Sequence, residues 1–361
     1  MTAVVRTAKA VLPERGKTAK VHDVSGFIWG DTMRPSRRHI LLGATGSVIL
    51  SSVARSAWAQ IYPSRPITMI VPFAPGGTAD PVGRLFAERM RNSLGQPVVV
   101  ENVTGANGSI GTARVAKAAG DGYTIGIGFW NTHVSNAALQ KLQYDVVSDF
   151  VPIALVATYP LVVVAKKTIP ANNLNELIAW LKANPGKAAQ GSPGAGSQGH
   201  LIGAYFQKMT GTSFQHVPYR GSVPAMQDLI AEHIDLMIDT PAVVLPHIRA
   251  GNIKAFAVTR ARRLDGAPGL PTVDEAGLPE LHASNWSAFF APKGTPKSII
   301  APLNAAVVEA LSDQTVRQKI IDFGFDIPSR DEQSPEALEA FQKAEIAKWT
   351  PIIQSVGIKI E

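Results

Sequence analysis

The stretch Ile67-Thr68-Met69-Ile70-Val71-Pro72-Phe73-Ala74-Pro75-Gly76-Gly77-Thr78-Ala79-Asp80 constrains the fold more than any other. Its apolar run predicts a buried strand that stops in a Pro/Gly loop, after which the pattern restarts as a helix. Gly76 and Gly77 let the backbone approach a ligand closely, and Asp80-Pro81 predicts an N-cap followed by a first-turn proline. Free backbone N–H groups and the positive end of the helix dipole converge at such a loop, which makes it an anion site. No Gly-Lys-Ser/Thr follows, so it is not a Walker A phosphate loop. The stretch predicts binding of an anion, not its hydrolysis.

The same unit recurs. Val82, Leu85, Phe86 and Met90 have helical spacing; Pro97 to Val103 predicts a second strand, and Ile110 to Ala119 a second helix. Gly120-Asp121-Gly122 then turns the chain into the strand Tyr123 to Gly128. Strands and helices alternating through short glycine loops predict β-α-β units with parallel pairing, whose ligands sit at the carboxyl ends of the strands. Leu161 to Pro170 and Ser287 to Pro296 each read as a strand ending in Lys, a turn and Pro, followed by an amphipathic helix. They predict two strands that cross between an N-terminal lobe, completed by the C-terminal helices, and an inserted lobe.

The inserted part carries a second cradle, Gln190 to His200, before a helix from Leu201 to Met209. Gly194-x-Gly196-x-x-Gly199 matches a dinucleotide fingerprint in form, but Lys187-Ala188-Ala189-Gln190 reads as a poor buried strand, and Tyr219-Arg220 stands where the ribose-binding acid belongs. Ala195-Gly196-Ser197-Gln198-Gly199 resembles a nucleophile elbow, and Asp239 followed by His247 or His282 completes a Ser…Asp…His order. The loop is broad for an elbow, so Ser197 predicts a donor to an anion; a serine hydrolase remains the enzyme alternative. Asp239, at the end of a strand, reads equally as a capping acid or a ligand contact. Trp130 and Trp286 read as core or as a cleft wall, and Arg220 as a surface residue before a clamp.

Charge sets the address. The whole chain carries 35 Lys/Arg against 28 Asp/Glu, but residues 1–60 hold nine of the basic and three of the acidic groups, leaving 26 against 25 beyond them. The basicity belongs to the leader, and no basic stripe with interleaved aromatics remains for a nucleic acid. Met33-Arg34-Pro35-Ser36-Arg37-Arg38 followed by Ile40-Leu41-Leu42 and ending in Ala57-Trp58-Ala59 predicts a twin-arginine secretory signal, cleaved after Ala59, with Met33 as the true start. The predicted location is periplasmic. With no cysteine there is neither a disulfide framework nor thiol chemistry, and the eight scattered histidines give no metal-ligand spacing. No cofactor is predicted.

Taken together, Pro72 to Gly77, Glu101 to Gly108, Asp121 to Thr124, Tyr144-Asp145, Gly191 to Gly196, His216 to Gly221, Pro246 to Gly251 and Ala291 to Pro296 resemble the Bug or TctC-type receptors of tripartite tricarboxylate transport. The resemblance implies an α/β fold of the periplasmic binding protein (Venus flytrap) type: lobe 1 from 60–162 and 283–361, lobe 2 from 163–282, joined by two crossing strands. It implies a receptor, not an enzyme: a monomer that holds a small carboxylate, dicarboxylate or aromatic acid, and hands it to a membrane permease. A ligand sensor acting in signalling would use the same cleft. Carried onto this chain, the ligand-binding residues are Phe73, Ala74, Gly76, Gly77, Thr78 and Asp80 in the first loop, Ser192, Gly194, Ser197 and His200 in the second, and Asp239 at the distal end. Trp130 and Thr132 join them. Phe129-Trp130 replaces small residues usual in the family, which implies a narrower cleft or a stacking face.

Overall fold

The computed structural model describes residues 62–76 and 79–358. The leader, its cleavage site, Gly77 and Thr78 lie outside the described residues. The first half of the molecule is built on β1 (Ile67–Val71), α1 (Ala79–Leu94), β2 (Val98–Asn102), α2 (Ser109–Ala116), β3 (Thr124–Phe129), a π-turn at Asn131–Ser135, α3 (Asn136–Leu139) and β4 (Phe150–Pro160). The chain then enters β5 (Val162–Lys166), α4 (Leu174–Ala183), β6 (Ala189–Ser192), α5 (Gln198–Thr210), β7 (Gln215–Pro218), α6 (Ser222–Ile230), β8 (Leu236–Asp239), α7 (Pro241–Arg249) and β9 (Ile253–Val258). It returns through β10 (Ser284–Pro292) to α8 (Lys297–Ser312), α9 (Gln314–Asp322) and α10 (Pro335–Val356).

Two five-stranded sheets result, ordered β2-β1-β3-β10-β4 and β7-β6-β8-β5-β9. In each, three parallel strands are followed by one antiparallel strand and then by one that runs with the first three. The inner strands read as continuous apolar runs because helices cover both faces. Ile67, Met69 and Val71 are wholly buried, as are Val162, Val163 and Val164. Glycines permit the closest approaches: a Cβ on Gly126 would lie 2.6 Å from the Val115 side chain of α2.

The chain passes from the first sheet to the second at Leu161 and returns between β9 and β10, so the predicted crossing strands each lie wholly in one sheet, with the crossing just ahead of them. Buried Thr259 ties the two passages together. Its Oγ1 accepts from the Leu161 N–H at 2.8 Å and donates to the Ala283 carbonyl at 2.6 Å, and its own N–H donates to the Leu161 carbonyl at 2.9 Å. Nearby, Arg260 and Arg262 both pair with Asp326, which also bridges Thr158 through the backbone.

The segment Lys187-Ala188-Ala189-Gln190 corrects the sequence expectation of a poor strand, since Ala189–Ser192 is β6, flanked by β7 and β8. Propensity loses there to tertiary pairing. Of the two polar side chains buried by that choice, Gln190 donates to the Gly199 carbonyl at 2.8 Å and Ser192 to the Gly194 carbonyl at 2.9 Å. Among the described residues, no helix is long and apolar enough to cross a membrane.

Candidate functional site

Both glycine loops leave the carboxyl end of a strand and feed the N-terminus of a helix: β1 into α1, and β6 into α5. In the first, Gly76 has φ 81°, and a Cβ there would meet nothing within 4 Å. Asp80 lies within the first turn of α1, not at the N-cap position, because the helix already begins at Ala79. Its carboxylate accepts from the Gly76 N–H at 3.3 Å, from Arg84 Nε at 3.0 Å and from Asn102 Nδ2 at 3.0 Å. Burial pushes this carboxyl up, but the hydrogen bonds from Arg84, Asn102 and Gly76 outweigh it and hold the group below the usual carboxylate range. Asn102 Nδ2 also donates to the Phe73 carbonyl at 3.0 Å, so the end of β2 fixes the loop beside it. Phe73 is half-buried edge-on to Phe129, while Ala74 and Gly76 are exposed.

The second loop is tighter. Gly194 (φ 147°) and Gly196 (φ 73°) take backbone conformations that favour glycine. Ser197 is the N-cap of α5, its Oγ accepting from the His200 N–H at 3.4 Å. Ser192 Oγ donates to the Gly194 carbonyl at 2.9 Å and lies 2.6 Å from His216 Nε2. His200 Nδ1 accepts from the Gly196 N–H at 3.1 Å, which leaves the proton of the neutral ring on Nε2. The His200 and His216 rings stack at 3.5 Å, 4° from parallel. Burial, then the neighbouring His216, holds the His200 imidazolium down to about 4, and burial lowers His216 as well, so both rings are neutral at pH 7. The loop therefore offers N–H and O–H donors with no formal charge.

Asp239 ends β8 directly ahead of α7 and is 3% exposed. Its Oδ1 accepts from the Thr240 N–H at 2.7 Å, while Oδ2 and the Thr240 hydroxyl have no partner. Burial drives this carboxyl up to about 6, against the smaller opposing effects of the Thr240 N–H and of the nearby Ser222 and Thr240 hydroxyls, neither of which reaches Oδ2 in hydrogen-bonding geometry. An unpartnered acceptor in such a place fits a ligand group that donates a hydrogen bond.

Trp130 and Thr132 are both fully buried. Trp130 packs edge-on against Trp349 at 5.3 Å and belongs to the core, not to a cleft wall; Trp286 is likewise buried. Truncating an aromatic packed in this way costs about 3–5 kcal/mol. Thr132 Oγ1 accepts from the Phe129 N–H at 2.9 Å and lies 2.9 Å from His133 Nδ1, so it shapes the π-turn from within. Gly77 and Thr78 fall outside the described residues. Asn102, Asn107 and His216 organise the two loops from within stretches that carry the family resemblance, although none is assigned to the binding site by it; an Asn between Ala and Gly in a glycine-rich turn is the local signal that marks Asn107.

Asn107 joins the two halves: its Nδ2 donates to the Gly196 carbonyl at 3.2 Å. Gln198 Nε2, in the first turn of α5, donates to the Ser284 carbonyl of β10 at 2.9 Å. Two sheets of matching strand order, each with a glycine loop feeding a helix N-terminus and tied to each other by the bonds from Asn107 and Gln198, define a two-part solute-binding protein. The model of the tripartite tricarboxylate transporter family receptor matches residues 82–358. Protein BugT of Bordetella pertussis is 38% identical over 324 residues, covering 89% of this chain and 98% of the relative. Among solved structures, MatC from Rhodopseudomonas palustris with bound malate superposes with a TM-score of 0.76 at 35% identity, over 81% of this chain and all of that one. R. palustris Rpa4515 with adipate gives 0.76 at 35% identity, over 82% and 99%. The chain belongs to the tripartite tricarboxylate transporter receptor family.

Proposed function

We propose that this protein is a periplasmic receptor that captures a small aliphatic dicarboxylate between two lobes, 60–162 with 283–361 and 163–282, and passes it as a monomer to a tripartite membrane permease. The carrying observation is the pair of glycine loops that each leave the carboxyl end of a strand for a helix N-terminus, at α1 and at α5, in two halves that the bond from Asn107, in the turn after β2, to Gly196 ties together. Phe73, Ala74, Gly76, Gly77, Thr78 and Asp80 would hold one side of a carboxylate. Ser192, Gly194, Ser197 and His200 would hold the other, with Asp239 taking a donor at the far end. Neutral donors at helix N-termini bind an anion without burying a full counter-charge, which keeps the ligand releasable. Malate and adipate in the two R. palustris structures support the dicarboxylate class, as does the withdrawal of Trp130 into the core, which removes the expected stacking face. The twin-arginine leader from Met33 would supply export.

A thermal-shift panel of mono-, di- and tricarboxylates and aromatic acids on the chain from Gln60 tests this reading. Ligand at 100 times its Kd stabilises by about 2.7 kcal/mol, which corresponds to a rise of roughly 4 °C for a chain of this size. The expected result is such a rise with at least one dicarboxylate and none with aromatic acids. A panel in which no carboxylate raises Tm contradicts it.

A further inference from the structure

The turn after β2 is left-handed through four successive residues: Gly105 (φ 125°), Ala106 (45°), Asn107 (52°) and Gly108 (85°). Glycines reach that region freely, whereas alanine and asparagine do so at a cost that the surroundings must offset. Asn107 is where they do so. Its main-chain carbonyl accepts from Asn131 Nδ2 at 3.0 Å and Asn136 Nδ2 at 3.1 Å, and its Oδ1 accepts from Asn131 Nδ2 at 3.0 Å. Its Nδ2 donates to Asn136 Oδ1 at 2.9 Å, and its remaining amide proton reaches across to the Gly196 carbonyl. Four of these five contacts stay within the first half and lock the turn. The fifth leaves it, and its acceptor sits in the loop proposed to hold the ligand.

We propose that Asn107 is the closure latch of this receptor: a strained turn, held rigid by Asn131 and Asn136, presents one amide N–H that is satisfied by Gly196 only when the halves are shut. The latch rests on the clamp reading given above. Because its bond is broken on opening, it slows ligand departure and leaves ligand entry alone. A purely structural role would place the value of the side chain in the turn itself, and the two roles separate at glycine. Asn107→Gly keeps the left-handed backbone at lower cost and both main-chain acceptor bonds, while deleting the bond to Gly196 together with the two side-chain bonds to Asn131 and Asn136, so the ligand-free Tm reads the loss within the turn and the dissociation rate reads the loss across the halves.

Titrating malate and adipate into the parent and Asn107→Gly proteins, with stopped-flow dissociation, tests the latch. The expected result is an affinity about 2–13-fold weaker, carried by faster dissociation with unchanged association and not accounted for by any change in the Tm of the ligand-free protein. Equal dissociation rates overturn the latch and leave the clamp standing, as does an affinity loss that merely follows a lowered ligand-free Tm. If the parent binds neither acid, the latch is decided without ligand. The cysteine-free sequence takes spin labels at Lys182→Cys and Lys319→Cys, both exposed sites. Pulsed electron resonance should then show a population of labels in the closed spacing that Asn107→Gly depletes. Identical distance distributions overturn the proposal.

Discussion

Gly199→Ala is expected to lower folding stability by about 3 kcal/mol, the upper range for overpacking a rigid core. Gly199 lies in the first turn of α5 and is buried; a Cβ there would stand 2.4 Å from the Ile238 carbonyl oxygen of β8. The obstacle is backbone, so no side-chain rotation relieves it. Helix α5 would have to lift from β8, weakening the bond from Gln190 to the Gly199 carbonyl and moving the second glycine loop relative to Asp239, the residue after Ile238. Contrast Gly191, where the nearest obstacle, at 2.3 Å, is the flexible end of Ile234. Urea denaturation measures the effect, and thermal unfolding should show a fall in Tm of roughly 5 °C at this chain length. A loss below about 1 kcal/mol would show that α5 and β8 are not packed as described.

Asp239→Asn is expected to act in the opposite direction on stability. A carboxyl held at about 6 instead of 3.8 binds its proton more tightly in the folded than in the unfolded protein. Between those values stability falls as pH rises; below about 4 both states are protonated and the penalty vanishes, and above about 6 it is constant. At 1.36 kcal/mol per pK unit the ionised group costs the fold on the order of 3 kcal/mol. Asparagine keeps the acceptor for the Thr240 N–H and removes the charge, so a gain of about 1–3 kcal/mol is expected at pH 7.5, shrinking to none near pH 4. Denaturation midpoints of parent and variant across that range measure it, and parallel pH profiles would contradict the assignment. The same change removes an acceptor with no partner in the protein, so ligand affinity should fall while stability rises, which is the signature of an acid retained for binding.

Much of the framework was legible in the sequence because period and glycine placement agree with the final packing. β1, its loop and α1 are marked by an apolar run, glycines and helical spacing, and both crossings fall at the ends of runs that the sequence shows. Where reading failed, a long-range partner decided the outcome. Strand β6 has a weak pattern because Gln190 turns to the helix that follows it and Gly191 pairs with Met237 of β8, a partner far along the chain. Trp130 could be core or cleft until Trp349, more than two hundred residues away, closed over it. Asp80 reads as an N-cap from its neighbour Pro81, but Arg84 and Asn102 draw it into the first turn as a brace for the loop. Asn107 carries a local signal, its place in a glycine turn, yet its partner Gly196 belongs to the other half.

The central claim is that the space above Gly76 is where a dicarboxylate sits. Gly76→Val places a side chain where a Cβ meets no protein atom within 4 Å, so its main cost to the fold is the positive φ, at least about 1–2 kcal/mol for a β-branched residue. Isothermal titration of the dicarboxylate that most raises the parent's Tm, into the parent and into Gly76→Val, is the most direct test. The account predicts one site per chain in the parent and at least a hundredfold loss in a variant that remains folded by circular dichroism. Unchanged affinity in the folded variant would contradict it.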